Sequence, residues 1–132
     1  MNEKLPEKLF IHKDELDYAL FVPVPLELIR AKEFRNISAD AKLLYGFLLS
    51  RTFIANKNKM FDENERLYVF MTIEEVMETF NVASTKAKCM FKELTNIDGF
   101  GTGLILKERV QGKPSKIFVL KFDEVYEMLR KN

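Results

Sequence analysis

The sequence has few of the residues that form covalent links, metal centres and nucleophilic catalytic pairs. Its 132 residues include one cysteine (Cys89), one histidine (His12) and no tryptophan. One cysteine cannot form an internal disulfide, and one histidine with one cysteine cannot supply a structural zinc cluster. We therefore predict a protein that is not an enzyme, carries no metal or cofactor, and works in the reducing cytoplasm.

Phosphate-binding loops and membrane segments are also missing from the sequence. Gly112-Lys113 is followed by Pro114, where a phosphate-binding loop has serine or threonine. Residues 99–103 lack the dinucleotide-binding spacing, and their glycines predict a flexible connection. No apolar run approaches the ~20 residues that a bilayer requires, and the first residues lack the apolar stretch of a signal peptide. We expect a soluble protein without membrane contact.

What the chain does contain is enough apolar surface for one core. Hydrophobic residues make up 47% of the sequence and include 12 phenylalanines, while 21 basic and 20 acidic residues leave a net charge of +1. This length corresponds to one ordinary domain. We predict a charged N-terminal arm over residues 1–17 and a single domain over 18–132.

The first half of this domain alternates predicted strands and helices. Residues 18–24 are apolar and end at prolines, as an edge strand does, and 26–37 predict a helical turn followed by a loop. Ser38 is an expected N-cap for an almost wholly apolar helix over 39–53. Residues 54–66 predict a long loop, and 67–71 a buried strand.

A pair of short helices follows. Thr72 and Glu75 have the spacing of a capping box, three residues (81–83) form a tight connection, and Ser84 is an expected cap for the second helix. At 100° per residue, the second helix turns Ala87, Met90, Phe91 and Leu94 towards the core, and Thr85, Lys88, Cys89 and Lys92 outwards. We expect a core formed by three helices, comprising Leu44, Tyr45, Leu48, Val76, Phe80, Phe91 and Leu94.

The second half ends in a basic hairpin and a short helix. Residues 104–110 and 116–122 predict two strands joined by a turn over 111–115, and 123–131 predict the closing helix. Residues 84–121 carry a net charge of +5, against −4 for the rest of the chain. A helix-turn-helix followed by a basic hairpin is the element order of a winged helix. The predicted fold class is therefore α+β, a winged helix-turn-helix with a small antiparallel sheet.

Basic charge concentrated on these elements favours binding of a DNA duplex. The candidate DNA-binding residues lie on the second helix and on the hairpin: Ser84, Thr85, Lys86, Lys88, Cys89, Lys92, Lys107, Arg109, Lys113 and Lys116. Lysines on a helix more often contact phosphates than read bases, so we expect Thr85 to contribute to base reading.

Several motifs resemble those of one known family. They are SADAKLLYGFLLSR (38–51), the asparagines and acids of 56–63, LYVFMTIEEVMETFNVASTKAKCMFKEL (67–94) and GKPSKIFVLKF (112–122). Together they are similar to the amino-terminal domain of the plasmid replication initiator protein A family, from about residue 21 to residue 122. Residues 96–105 form a longer link before the hairpin than is usual in that family.

The resemblance implies a winged-helix domain that binds repeated sequences at the replication origin of a plasmid or related mobile element. It also implies a homodimer, and host replication proteins recruited through a carboxy-terminal domain outside this chain. The apolar segment 18–24 is a candidate for strand pairing across the dimer axis. Two other interpretations remain open: a winged-helix transcription regulator, and a protein-interaction module of the primosome type.

Overall fold

The structure, a computed structural model, describes residues 5–13, 21–97 and 102–131. Its regular elements there are five α-helices, one antiparallel hairpin and two short 3-10 helices, Glu7–Leu9 and Lys32–Phe34. In chain order the elements are α1 (Leu26–Arg30), α2 (Ala39–Lys57), α3 (Ile73–Phe80), α4 (Ser84–Thr95), β1 (Ile105–Val110), β2 (Lys113–Val119) and α5 (Phe122–Arg130). The predicted α+β class, with a helix pair followed by a small antiparallel sheet, is confirmed.

Helix α2 is the centre of the domain. Its N-cap is Ser38, as predicted, and the Ser38 hydroxyl accepts a hydrogen bond from the Ala41 backbone N–H at 3.2 Å. The helix continues to Lys57, so the prediction of a loop from residue 54 was wrong at its start. Ala55 is buried against the core, and burial of this residue favours four more helical positions than the polar composition indicated.

The expected core is largely confirmed. Of its seven predicted members, six are buried: Leu44, Tyr45, Leu48, Val76, Phe91 and Leu94. Phe80 is only partly buried, because it ends α3 and stacks its edge against the Phe47 ring at 5.9 Å near the surface.

Neither of the two strands predicted before the helix pair forms as a full strand within the described residues. Residues 18–20 lie outside them, and residues 21–24 form no strand. The segment crosses α2 instead, and a Cβ on Gly46 would lie only 2.5 Å from the Pro23 carbonyl oxygen. Because glycine lacks this atom, the backbone of the segment can pass directly over the helix.

The predicted strand over 67–71 is reduced to isolated bridges. Val69 exchanges two backbone hydrogen bonds of 2.9 Å with Ile117 of β2, and Leu67 bridges Phe61. The segment is therefore a rudimentary third strand beside the hairpin, too short to form a ladder.

The helix pair forms as its spacing predicts. The capping box of Thr72 and Glu75 opens α3, and Asn81, in the left-handed conformation at φ 55°, reverses the chain before α4. The expected cap at Ser84 was wrong, since Ala83 occupies the N-cap position and Ser84 is the first residue of the helix.

The hairpin has a tighter turn than the predicted 111–115. Val110 pairs with Lys113, so Gln111 and Gly112 alone form the turn, and Gly112 supplies the positive φ of 75° that it requires. The register shifts between Val110 and Glu108, and from Glu108 opposite Lys116 the pairing is regular to Ile105 opposite Val119. Helix α5 then packs back on the core, and the Tyr45 hydroxyl donates a 2.7 Å hydrogen bond to the Leu120 carbonyl just before it.

Candidate functional site

Helix α4 presents one face to solvent and is held on both flanks. Its outward side chains are Ser84, Thr85, Lys88, Cys89 and Lys92, all of which are exposed. Its inward side chains are Ala87, Met90, Phe91 and Leu94, all of which are buried. The predicted division of this helix into a core face and a solvent face is thus confirmed residue by residue.

One flank of α4 is fixed to the start of α2. The Glu93 carboxylate accepts hydrogen bonds from the Ser38 backbone N–H at 2.6 Å and from the Ser38 hydroxyl at 3.0 Å. Two turns earlier on α4, the Lys86 ammonium lies 3.2 Å from the Asp40 carboxylate. Lys86 is therefore paired within the domain, on the flank away from the hairpin.

The opposite flank of α4 borders a basic groove against β1. The groove has a volume of about 400 Å³, and its lining residues are Ile73, Lys88, Phe91, Lys92, Thr95, Lys107 and Arg109. Four of the predicted site residues, two from the helix and two from the strand, thus share one concavity. No acidic side chain lines it, and none of the four cations forms an ion pair with a described residue. We call this concavity the basic groove.

Lys107 connects the two walls of the basic groove. Its ammonium nitrogen lies 4.4 Å from the centroid of the buried Phe91 ring, within the range of a cation–π contact. Partial burial lowers the pKa of Lys107, and the neighbouring Arg109 charge lowers it further. The pKa shift therefore reflects burial of the Lys107 ammonium first and the like charge of Arg109 second.

The remaining two hairpin lysines lie elsewhere. Lys113 is exposed at the turn, beside a second concavity of about 330 Å³ that it shares with Arg109 and Ser115. Lys116 is paired in register with Glu108, whereas Lys107 is paired with Ile117. Because opposite residues share a face of a sheet and successive ones alternate, Lys116 points to the face opposite Lys107. Its ammonium lies 4.7 Å from the Tyr68 ring centroid.

Sequence reasoning did not identify every residue of the site. Thr95 lines the basic groove three and seven positions after Lys92 and Lys88, a helical spacing that would have placed it there. Glu93 could not be predicted as an anchor of α4, because its role at the start of α2 depends on a contact between residues 55 positions apart. No local pattern predicts such a contact.

The described ranges contain neither a candidate metal site nor a membrane-spanning helix. Within residues 5–13, 21–97 and 102–131, no group of three or more His, Cys, Asp or Glu side chains could hold a metal ion. Among the described helices, none combines the length and the apolar character needed to cross a membrane.

Comparison with known proteins gives a family match over most of the chain. The model of the family described as replication initiator protein A (RepA) N-terminus matches residues 20–131. A search of curated proteins found no match.

Three solved structures share the fold. One is described as the N-terminal domain of a DNA-binding protein and one as a Rep–DNA complex; each has a TM-score of 0.63 and 24% identity, and the alignment covers 84% of this chain and 85% of that one. A third, described as an MDR initiator, has a TM-score of 0.63 and 23% identity, with 92% of this chain and 97% of the other covered. At these identities the likeness establishes the fold.

Proposed function

The chain belongs to the family of replication initiator protein A N-termini, and from this membership we propose that it is the double-stranded DNA-binding domain of a replication initiator. Its targets are repeated sequences at the origin of a plasmid or related mobile element. It acts in the cytoplasm by binding, with no catalysis of its own, and host replication proteins are recruited through another part of the initiator.

The observation that carries this proposal is the free outward face of α4 beside the basic groove. A helix of this length enters the major groove of B-DNA, where each base pair presents a distinct pattern of donors and acceptors. Thr85 and Cys89 lie one turn apart on the exposed stripe, between the flank held by α2 and the flank bordering the groove. The hairpin then lies beside the helix, where a wing contacts the adjacent backbone or minor groove.

Selection of bound duplexes from a random library, with origin-derived repeats as competitors, tests the proposal. We expect one repeated sequence to be enriched. We also expect a plot of log affinity against log salt concentration to fall with a slope of ~0.9 for each phosphate that the protein neutralises. Thr85→Ala is expected to relax preference at a single base position, whereas Thr79→Ala, an exposed threonine of α3, leaves the preference unchanged.

The same selection distinguishes the other interpretations. Enriched duplexes that are absent from any origin would support a transcription regulator, which uses the same surface. Binding that is lost at roughly 0.15 M salt for every duplex would contradict DNA binding and support a protein-interaction module.

We further propose that the domain forms a homodimer through the surface around α1. The exposed apolar side chains Leu26 and Ile29, three positions apart on α1, support this, since exposed apolar patches are common at association sites. Sedimentation at micromolar concentration is expected to give a dimer, and Leu26→Asp with Ile29→Asp a monomer. A monomer for the unchanged protein, with or without DNA, would contradict the assembly.

A further inference from the structure

We infer that the basic groove between α4 and β1 holds a backbone phosphate of the bound duplex, and that Lys88, Lys92, Lys107 and Arg109 are its contacts. This inference rests on the proposed function, which it deepens. It places the sugar–phosphate backbone of one DNA strand at the junction of α4 and the hairpin. Base reading is then the role of Thr85 and Cys89 on the exposed face of α4.

Four positive side chains without acidic partners among the described residues converge in the basic groove. Two lysines, one turn apart on α4, line the same concavity as Lys107 and Arg109 of β1. Side chains of one charge repel one another when they share a concavity, and the lowered pKa of Lys107 has this cause in part. A bound anion relieves the repulsion, so the groove is complementary to an oxyanion.

Apolar side chains also line the basic groove. Ile73 and Phe91 supply apolar surface beneath the four cations, and Phe91 is buried. A cleft that is lined by charge of one sign and has low-dielectric walls focuses the electrostatic field into the cleft. The Phe91 ring also holds the Lys107 ammonium in place at 4.4 Å, so less side-chain freedom is lost on binding.

Other basic residues of the region lack this environment. Lys86 is paired with Asp40 on the far flank of α4, and Lys116 lies over the Tyr68 ring on the other face of the hairpin. Lys86 is thus neutralised by an acidic side chain and Lys116 lies on the other face, whereas the four cations of the basic groove share one concavity with no acidic side chain among its described lining residues.

The ligand that we assign to the basic groove is a phosphate group of the DNA backbone, not a free phosphate ion. Lys92→Gln and Arg109→Gln are compared, singly and together, with Lys57→Gln, an exposed lysine at the end of α2 that does not line the groove. Affinities are measured for the selected duplex and for an unrelated duplex over a range of salt. The duplexes are then remade with single uncharged methylphosphonates.

Each groove variant is expected to weaken binding to both duplexes alike. Loss of one phosphate contact reduces the slope of log affinity against log salt by ~0.9. The drop in affinity between about 50 and 200 mM salt is then about 3.5-fold smaller than for the unchanged protein. One methylphosphonate position should weaken binding by the unchanged protein and have a smaller effect on the double variant, which retains only Lys88 and Lys107. Lys57→Gln should behave like the unchanged protein.

The opposite results overturn the inference in distinguishable ways. If the groove variants match Lys57→Gln while the unchanged protein binds DNA with a steep salt slope, the groove assignment fails and the proposed function stands. If no duplex binds the unchanged protein, both fail. If inorganic phosphate perturbs Lys107 and Arg109 resonances while the groove variants keep full affinity for duplex, the ligand is a free oxyanion and the DNA assignment is wrong.

Discussion

The contact between Glu93 and Ser38 provides a stringent test of how α4 is held in position. The Glu93 carboxylate accepts two hydrogen bonds from Ser38, and these lie at the positive end of α2. Hydrogen bonds to a charged group are worth about 1.5–3 kcal/mol, and alanine recovers a few tenths through its higher helix propensity. Glu93→Ala is therefore expected to lower the free energy of unfolding by roughly 2 kcal/mol.

Urea unfolding followed by circular dichroism measures this loss, with Glu78→Ala on α3 as the matched control. Glu78 is exposed, so its replacement should change stability by less than ~0.5 kcal/mol. Ser38→Ala removes the cap of α2 and one of the two bonds to Glu93, and should cost ~1–2 kcal/mol. The double variant should lose less than the two single losses combined, because one bond is shared. Losses that add fully, or a Glu93→Ala value equal to the control, would refute the contact.

Three further outcomes follow from the core and from two ionisable groups. Leu48→Ala, at a fully buried position of α2, should cost ~2–5 kcal/mol in urea unfolding, and a loss below ~0.5 would contradict its central place. Burial, and second to it the Asp123 charge, raises the pKa of Tyr45 to about 12. The neutral phenol therefore stabilises the folded protein at any pH below the pKa of the unfolded chain, and this stability is lost as pH rises towards the pKa of the folded protein. Tyr45→Phe should cost ~1 kcal/mol at neutral pH, and the variant should lose less stability than the unchanged protein above about pH 10 in thermal melts. The hydrogen bond from the Thr72 backbone N–H, assisted by Arg51, lowers the pKa of Glu75. The Glu75 carboxylate therefore stabilises the folded protein at any pH above its pKa in the unfolded chain, and this stability is lost as pH falls through its pKa in the folded protein. Glu75→Gln should reduce the loss of melting temperature between neutral and acid pH, and an unchanged acid transition would contradict the capping role.

Local patterns were sufficient wherever a short segment determines its own conformation. The capping box at Thr72 and Glu75, the N-cap at Ser38 and the division of α4 into two faces depend on residues within one or two turns. The helix pair and hairpin could be predicted for the same reason, as could the outward position of Lys88 and Lys92.

The features that sequence reasoning missed depend on distant residues. Residues 67–71 have strand composition, but their partner, Ile117, is some fifty positions away and supplies a single bridge at Val69. Lys107, Arg109 and Lys116 look equivalent in the sequence, and only the pairing register separates their faces. The basic groove itself forms where a helix meets a strand, so no one segment encodes it.

The separate anchoring of the two flanks of α4 has an evolutionary consequence. Glu93 and Lys86 fix one side of the helix, the Phe91–Lys107 contact fixes the other, and the exposed stripe at Thr85 and Cys89 takes part in neither. If the stripe reads bases, as proposed above, substitutions there would change the recognised sequence without disturbing the contacts that hold α4. A lineage could then diverge in target at two positions of one helix turn while the contacts that stabilise the helix stay the same.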